Sequence, residues 1–250
     1  MAGPDETPEF GDPLGGWTPP RRPDFDRIEG ATVSLERLDP DRHAASLFAA
    51  CSADDRVWDY LPYGPFPAAD DYRAWARRMA EAQDPFFLAI VPKHRGVATG
   101  VASYLRIAPE AGSIEVGHIC LSPALQGTVA ATEAMFLMAD WAFAAGYRRY
   151  EWKCDALNRP SRRAAMRLGF SFEGVFRQAA VVKGRNRDTA WFAIIDRDWP
   201  ALRAAHVAWL DPGNFRPDGL QLRRLSDLTR PLLYRADPGV DGPDGRRACR

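Results

Sequence analysis

The chain has 250 residues, enough for one large domain or two small ones, and 46% hydrophobic with 11% aromatic content allows a full core. Its 33 basic and 33 acidic residues balance to zero net charge, which argues against nucleic acid as a partner, because such binders are usually strongly basic.

Residues 1–30 are rich in Pro, Gly and charge and read as an extended arm that packs at Trp17 and Phe25 but builds no element of its own. VSLERL (33–38) alternates as a strand does. Asp39-Pro40 then caps a short helix over HAASLFAAC. The turn-rich YLPYGPFP (60–67) leads to a second helix with Tyr72, Trp75, Ala76 and Met79 on one face. FFLAIV (86–91), TGVASYLRI (99–107) and SIEVGHICL (113–121) read as strands, the last two joined by a hairpin-like PEAG. A turn at Ser122–Gly127 opens a helix to Ala145, with a stripe of Ala131, Ala134, Met135, Met138 and Ala142, and Gly146 ends it. YRRYEWKCDAL (147–157) is an alternating strand, and NRPSRRAAMRLGF (158–170) is a helix capped by Asn158 and closed by Gly169. FSFEGVFRQAAVVKG and DTAWFAII are the last strands, with GRNR as their turn. The domain runs over 31–200. A C-terminal extension occupies 201–250, rich in Pro and Gly from 212 on, and its end is expected to be disordered.

The cysteines, Cys51, Cys120, Cys154 and Cys249, form no CxxC pair and no Cys/His spacing suited to zinc, so no metal is expected. Cys120 and Cys154 lie in apolar alternating runs and read as buried thiols, which fits a reducing, cytoplasmic setting. The start, MAGPDETPEFGDPLGG, is polar and acidic, unlike a secretory leader. No run approaches the ~18 apolar residues of a membrane helix, so no membrane partner is expected.

The informative segment is 113–170. There a strand ends in a tight turn and a helix opens at LQGTVAATEA. The first N–H groups of a helix lack internal partners and carry partial positive charge, so a helix start with small residues accepts a pyrophosphate. Gly127, Ala130 and Ala131 would let phosphates approach, and Thr128 and Thr132 could add hydroxyl donors. Many strand–helix turns carry small residues for packing alone, so this pattern by itself is not specific.

With the next strand and helix, the sequence resembles the GNAT superfamily of N-acetyltransferases, in particular its RimJ/RimL-like branch. The family's pyrophosphate signature, Q/R-x-x-G-x-G/A, falls on Gln126, Gly127, Thr128, Val129, Ala130 and Ala131, with Val129 where glycine is usual. Thr132-Glu133-Ala134 continues the match. Asn158-x-x-Ser161 with RLGF (167–170) resembles the branch's next helix, EVG (115–117) its fourth strand and FEGVFRQA its sixth. The resemblance spans 31–200. It implies an α/β (α+β) fold whose mixed, mostly antiparallel sheet of about six or seven strands is splayed between the fourth and fifth and flanked by about four helices. It also implies that the pantetheine arm of acetyl-CoA lies between SIEVGHICL and YEWKCDAL, with Leu121, Gln126–Thr132 and Asn158 around the cofactor. Direct attack by the amine would need a backbone donor near Ile119–Leu121 for the oxyanion, a proton for the departing thiolate and removal of a proton from the ammonium. Val129 cannot easily take positive φ, so its loop must hold it in helical geometry.

Each candidate residue has a plainer reading. Ser161 is either the thiolate's proton donor or a helix-start serine bonded locally. Glu115, in an apolar strand, is either the general base or an arginine's partner. His118 has a suitable intrinsic pKa but could equally be a satisfied strand histidine. Arg162 is a candidate phosphate contact. The basic KGRNRD (183–188) could hold an acidic acceptor or the adenosine 3′-phosphate, or simply be a solvated hairpin tip. Trp58, Tyr60 and Tyr63, with Phe66, could wall the acceptor site or pack as core aromatics. Glu133 reads as a structural carboxylate favoured by the helix dipole.

These residues point to an enzyme that acetylates a primary amine, either a protein N-terminus or a small-molecule or aminoacyl amine, with a homodimer allowed for. The alternatives are a non-catalytic acyl-CoA-binding sensor or scaffold, suggested by Val129, and a ribosome- or RNA-associated protein using KGRNR and the arginine-rich tail.

Overall fold

The computed structural model describes residues 10–241. Cys249 and the end of the extension lie outside that range.

A mixed eight-stranded sheet forms the centre, in the order β1-β2-β3-β4-β5-β6-β8-β7. Its strands are β1 (Arg27–Glu29), β2 (Val33–Arg37), β3 (Phe86–Pro92), β4 (Gly100–Ala108), β5 (Ser113–Leu121), β6 (Arg149–Asp155), β7 (Ser171–Val182) and β8 (Arg185–Ile195). Every neighbouring pair is antiparallel except β5–β6, the βαβ step. Helices α1 (Pro40–Cys51) and α2 (Ala69–Glu81) pack on one face, over β3 and β4. Helices α3 (Val129–Ala144), α4 (Arg159–Arg167) and α5 (Trp199–Leu210) pack on the other, and α6 (Leu225–Thr229) and α7 (Pro238–Asp241) follow.

Local chemistry sets the element ends. Asp39 caps α1, its carboxylate accepting from the Asp41 and Arg42 N–H groups at 2.8 and 3.2 Å. Thr128 caps α3, and Asn158 caps α4 by accepting from the Ser161 N–H at 3.1 Å. Gly169 follows α4 at φ 97°, where a side chain would be strained and would run into Leu202. The α3 stripe expected from the sequence is buried as a whole. Tyr150, Trp152 and Cys154 of β6 face it.

Three expectations change. The arm does contribute an element, because Arg27–Glu29 pairs with β2 in register with Glu36–Ser34. Phe25 and Trp17 pack as expected: the Phe25 ring lies 5.4 Å from Phe86 and 5.0 Å from Trp141, and Trp17 lies under Gly112. The β7–β8 turn is the dipeptide Lys183-Gly184, with φ 49° and 73°, not GRNR. Two consecutive positive φ values match the right-handed twist of a hairpin, so Arg185, Asn186 and Arg187 become strand residues. The extension adds α5–α7 to the four helices foreseen, because Trp199, Leu202, Trp209 and Leu225 bury themselves in the same core.

Candidate active site

Strands β5 and β6 pair only from Ser113↔Arg149 to Val116↔Trp152. Beyond that point β5 continues to Leu121 against β4 alone, and β6 continues to Asp155 against β8 alone. The facing edges of Gly117–Leu121 and Lys153–Asp155 therefore have no strand partner, which leaves backbone polar groups for a ligand. A bulge at this point helps to part the strands. Val101↔Cys120 and Ser103↔Gly117 leave one extra residue on β5, and His118 takes φ 50° there.

The β5–α3 turn sits at the base of this opening. Gly127 has φ 71°, and Val129 opens α3 in helical geometry, as the loop requires. The Thr128 hydroxyl is committed: it accepts from the Ala131 N–H at 3.1 Å and donates to the Leu125 carbonyl at 2.7 Å. The Gly127, Val129 and Ala130 N–H groups have no acceptor among the described residues. Gln126 Nε2 donates to the Leu121 carbonyl at 2.9 Å. Thr132 lies one turn further on, its Oγ1 accepting from both terminal nitrogens of Arg167 at 3.2 and 3.1 Å.

Against this helix start lies a cleft of about 410 Å³, whose far wall is the C-terminal extension. Gly127 and Val129 form one side. Arg167, Arg216 and Arg224 bring three guanidinium groups, and Trp209 and Phe215 supply flat apolar surface. The Arg167 guanidinium lies 5.2 Å from the Trp209 ring, and burial pulls its pKa down. None of the three arginines forms an ion pair among the described residues.

Arg162 is not part of this cleft. Its Nε and Nη2 bind the buried Asp237 carboxylate at 2.7 and 2.6 Å, and Nη1 donates to the Ala156 carbonyl at 2.7 Å. With its charge paired to a buried carboxylate and its place outside the cleft, Arg162 serves α7 and not a phosphate, which corrects the expectation placed on it.

Ser161 stands on the first turn of α4 behind β6. Its Oγ accepts from Trp152 Nε1 at 3.0 Å, and it helps to lower the Cys154 thiol, which burial pushes up to about 11. Asn158 is engaged as the cap of that helix.

On the other side of the opening, Glu115 is 3% exposed. Arg106 Nη1 reaches both of its oxygens at 2.8 Å, and Lys153 Nζ one of them at 2.8 Å. Burial raises its pKa, and the two cations oppose the rise. Arg106 is held at φ 46° by Asp84, whose carboxylate accepts from the Arg106 and Ile107 N–H groups at 3.0 Å each. His118 is held down to about 4, mainly by burial and further by Arg106 and Arg187. Its ring stacks on Tyr63 at 5.6 Å, and its Nδ1 has no partner among the described residues.

The 55–66 loop roofs this side. The Tyr60 hydroxyl donates to the Leu157 carbonyl at 3.3 Å, and Lys183 Nζ to the Trp58 carbonyl at 2.9 Å. Tyr63 and Tyr60 border the opening. Trp58 does not: it is 3% exposed and packs on Phe66 and Tyr72, so of its two readings the core one holds. Arg106, Arg216 and Arg224 escaped the sequence reading, because lone arginines in strands and loops carry no pattern; Arg187 entered it only as part of KGRNRD, and Arg167 only within RLGF.

Among the described residues no helix is long and apolar enough to cross a membrane, and no group of three or more His, Cys, Asp or Glu side chains is placed to hold a metal ion.

A comparison with curated proteins gives no match. Among solved structures, a GCN5-related N-acetyltransferase from Brucella melitensis is 43% identical over 87% of this chain and 100% of its own, with a TM-score of 0.85. A GNAT-family protein from Chromobacterium violaceum is 42% identical over 78% of this chain and 98% of its own, with a TM-score of 0.74. The microcin C7 self-immunity acetyltransferase MccE, solved with acetyl-CoA and AMP, shares the fold at 20% identity, over 66% of this chain and 93% of its own, with a TM-score of 0.60. The family model described as an acetyltransferase (GNAT) domain matches residues 33–171, and with the parted strands and the helix start it shows that this chain belongs to the GNAT acetyltransferase family.

Proposed function

We propose that the protein transfers the acetyl group of acetyl-CoA to a primary amine in the cytoplasm, with acetyl-CoA entering from the α3 side and the amine from the side of His118. Membership of the family implies acetyl-CoA-dependent acetyl transfer to an amine. The observation that carries the reading for this chain is the cleft at the start of α3, where Gly127 and Val129, whose amides have no acceptor among the described residues, and three arginines without carboxylate partners among those residues face one space. Such a donor set fits a diphosphate with a further phosphate, and Trp209 and Phe215 fit an adenine ring.

Acetyl-CoA supplies a thioester-activated acetyl group when bound. The Gly127, Val129 and Ala130 amides hold the pyrophosphate, with Gln126, Ala131 and Thr132 shaping the turn. Arg167, Arg216 and Arg224 hold the remaining charge. The open edges from Gly117 to Leu121 and from Lys153 to Asp155 receive the pantetheine amides, with Asn158 alongside. The Ser161 oxygen accepts from Trp152, which leaves its hydroxyl hydrogen free of the indole, and that proton is the one given to a departing thiolate. His118 is neutral at physiological pH and uncommitted at Nδ1 among the described residues, which suits it to accept a hydrogen bond from the neutral amine and to take the proton that the nitrogen sheds as the C–N bond forms. Glu115, engaged by three donor contacts, is a positioning residue for Arg106 and Lys153. Tyr60 and Tyr63 exclude water from above. The RimJ/RimL likeness of the Asn158–Phe170 helix supports a protein N-terminus or an aminoacyl compound among the acceptors. The sensor reading loses its motive, since helical geometry leaves the Val129 N–H available.

Calorimetry of acetyl-CoA binding together with thiol release over a panel of amines tests this. Arg216→Ala with Arg224→Ala should raise the acetyl-CoA Kd about tenfold or more, as expected for two charge-assisted contacts, and leave kcat at saturation near wild type. An unchanged Kd, or binding without thiol release from any amine, overturns the proposal.

A further inference from the structure

The sheet face under the 55–66 loop carries a network of charges in which one cation lacks a counterpart. By register Glu115 lies opposite Glu151, and Lys153 opposite Trp191, so these side chains share a face. Arg106 and Lys153 bind Glu115, Lys153 also binds Glu151 at 2.7 Å, and Arg149 binds Glu151 and Glu173 at 2.6 and 2.5 Å. Arg187 follows on the same face of β8, and its side chain has no hydrogen bond or ion pair among the described residues. Its Nε is buried and unsatisfied, and so is the indole N–H of Trp191. The Trp191 ring is fixed from both sides, by Lys153 Nζ at 3.8 Å and by the stacked Phe176 ring at 4.5 Å.

Arg187 also acts electrostatically on His118 of β5 and Cys154 of β6, so its charge lies where the two strands part. Buried donors cost free energy when left unmade. The described residues supply no acceptor for Arg187 Nε or for the Trp191 indole N–H. An acceptor arriving beside His118 would satisfy them.

We infer that Arg187, helped by the Trp191 indole N–H, reads an anionic group, a carboxylate or a phosphate, carried by the amine that this enzyme acetylates. The inference rests on the acetyl-transfer reading and narrows its acceptor. An acceptor amine attached to a carboxylate or phosphate presents the anion to Arg187 while its nitrogen faces His118 and the open edge of β5. A neutral amine leaves both buried donors unsatisfied and binds more weakly. Arg187 is then a specificity residue for the acceptor and has no part in holding acetyl-CoA.

Two matched pairs test this, L-phenylalanine against L-phenylalaninamide and phosphoethanolamine against ethanolamine, each at saturating acetyl-CoA. The carboxylate pair and the phosphate pair distinguish the two sources of charge. The expected result is a KM about tenfold lower, or more, for the charged member of at least one pair, the size of one charge-assisted contact. Arg187→Gln should abolish that preference, Arg187→Lys should keep part of it, and the calorimetric Kd for acetyl-CoA should stay unchanged in both. A binding readout runs in parallel: calorimetry in the presence of free CoA should show N-acetylphenylalanine binding more tightly than N-acetylphenylalaninamide, or N-acetylphosphoethanolamine more tightly than N-acetylethanolamine. Equal KM within both pairs, no turnover of either charged amine, or a fall in kcat shared by charged and neutral amines in Arg187→Gln overturns the inference. Loss of acetyl-CoA binding in the wild type would instead sink the acetyl-transfer reading itself.

Discussion

The indole N–H of Trp152 donates to the Ser161 hydroxyl oxygen at 3.0 Å, tying strand β6 to the first turn of α4 beside the parted strands. With one lone pair taken by Trp152, the hydroxyl hydrogen is left to point away from the indole. Asn158 holds the same turn from below through the Ser161 N–H. Ser161→Ala should therefore lower kcat by about 10²-fold, the low end for a general acid, with the acetyl-CoA Kd changed less than twofold. It also leaves Trp152 Nε1 without a partner, at ~1–2 kcal/mol of stability by urea denaturation. Trp152→Phe separates the two effects, because it removes the donor but leaves the serine. Retained kcat in Trp152→Phe with loss in Ser161→Ala is expected; equal loss in both would assign Ser161 a packing role only.

The pair of Arg162 with Asp237 concerns stability. Asp237 is fully buried, accepts from Arg162 at two atoms, and lies on the chain leading into α7. Asp237→Ala would bury a guanidinium without its counter-charge, at ~3–5 kcal/mol. The expected outcome is a large fall in Tm with acetyl-CoA affinity unchanged on the protein that remains folded. A tenfold weaker acetyl-CoA Kd at unchanged stability would return Arg162 to the phosphate site.

Glu133 pins the start of the sheet to α3. Its carboxylate accepts from the Ala31 and Thr32 N–H groups at 2.5 and 2.7 Å and from the Thr32 hydroxyl. The residue is 5% exposed and beyond the first turn, so these three donors, and not the helix dipole, account for its place. Gly30 fits the same contact, since a Cβ there would meet the carboxylate at 2.7 Å. Glu133→Ala should cost ~2–4 kcal/mol through three orphaned donors, and Gly30→Ala a smaller amount in the same direction. Hydrogen exchange should localise the loss to β1 and β2.

What was legible in the sequence was local. Caps at Asp39 and Asn158, the stop at Gly169 and the stripe of α3 each follow from a few neighbouring residues, whereas Thr128, read as a hydroxyl donor to phosphate, turns out to cap α3 with its hydroxyl engaged. Of the candidate site, the Gln126–Thr132 motif, the Asn158–Ser161 turn and the single residues Glu115, His118, Tyr60 and Tyr63 could be singled out in the sequence. The arginines of the cleft could not, because they meet through tertiary structure. Arg216 and Arg224 lie in a Pro/Gly-rich stretch that reads as unstructured. Asn214 organises it, donating to the Trp209 and Arg223 carbonyls and accepting from the Arg223 N–H. Arg162 misled for the same reason: its partner is 75 residues away.

Two histidines make the fold acid-sensitive in a defined window. His118 and His206 are both held down to about 4, chiefly by burial, against an ordinary value of 6.5. Above 6.5 neither the folded nor the unfolded chain protonates them, and they do not affect stability. Between 6.5 and 4 the unfolded chain takes up protons that the folded chain refuses, so stability falls as pH falls. Each fully developed titration contributes a slope of about 1.4 kcal/mol per pH unit, and less for His118, which is partly exposed. Urea denaturation at pH 7, 5.5 and 4.5 should show this loss, and His206→Gln, which can still donate to the Leu168 carbonyl, should reduce it. The same values bear on activity. A His118 that is already neutral sets no limb near pH 6.5, so kcat/KM should rise with pH through the acceptor's own ammonium pKa. Two acceptors of different basicity should shift that limb by the difference between them; a limb fixed near 6.5 for both would mean that His118 titrates normally and is more open to solvent than its packing against Tyr63 and Phe87 implies.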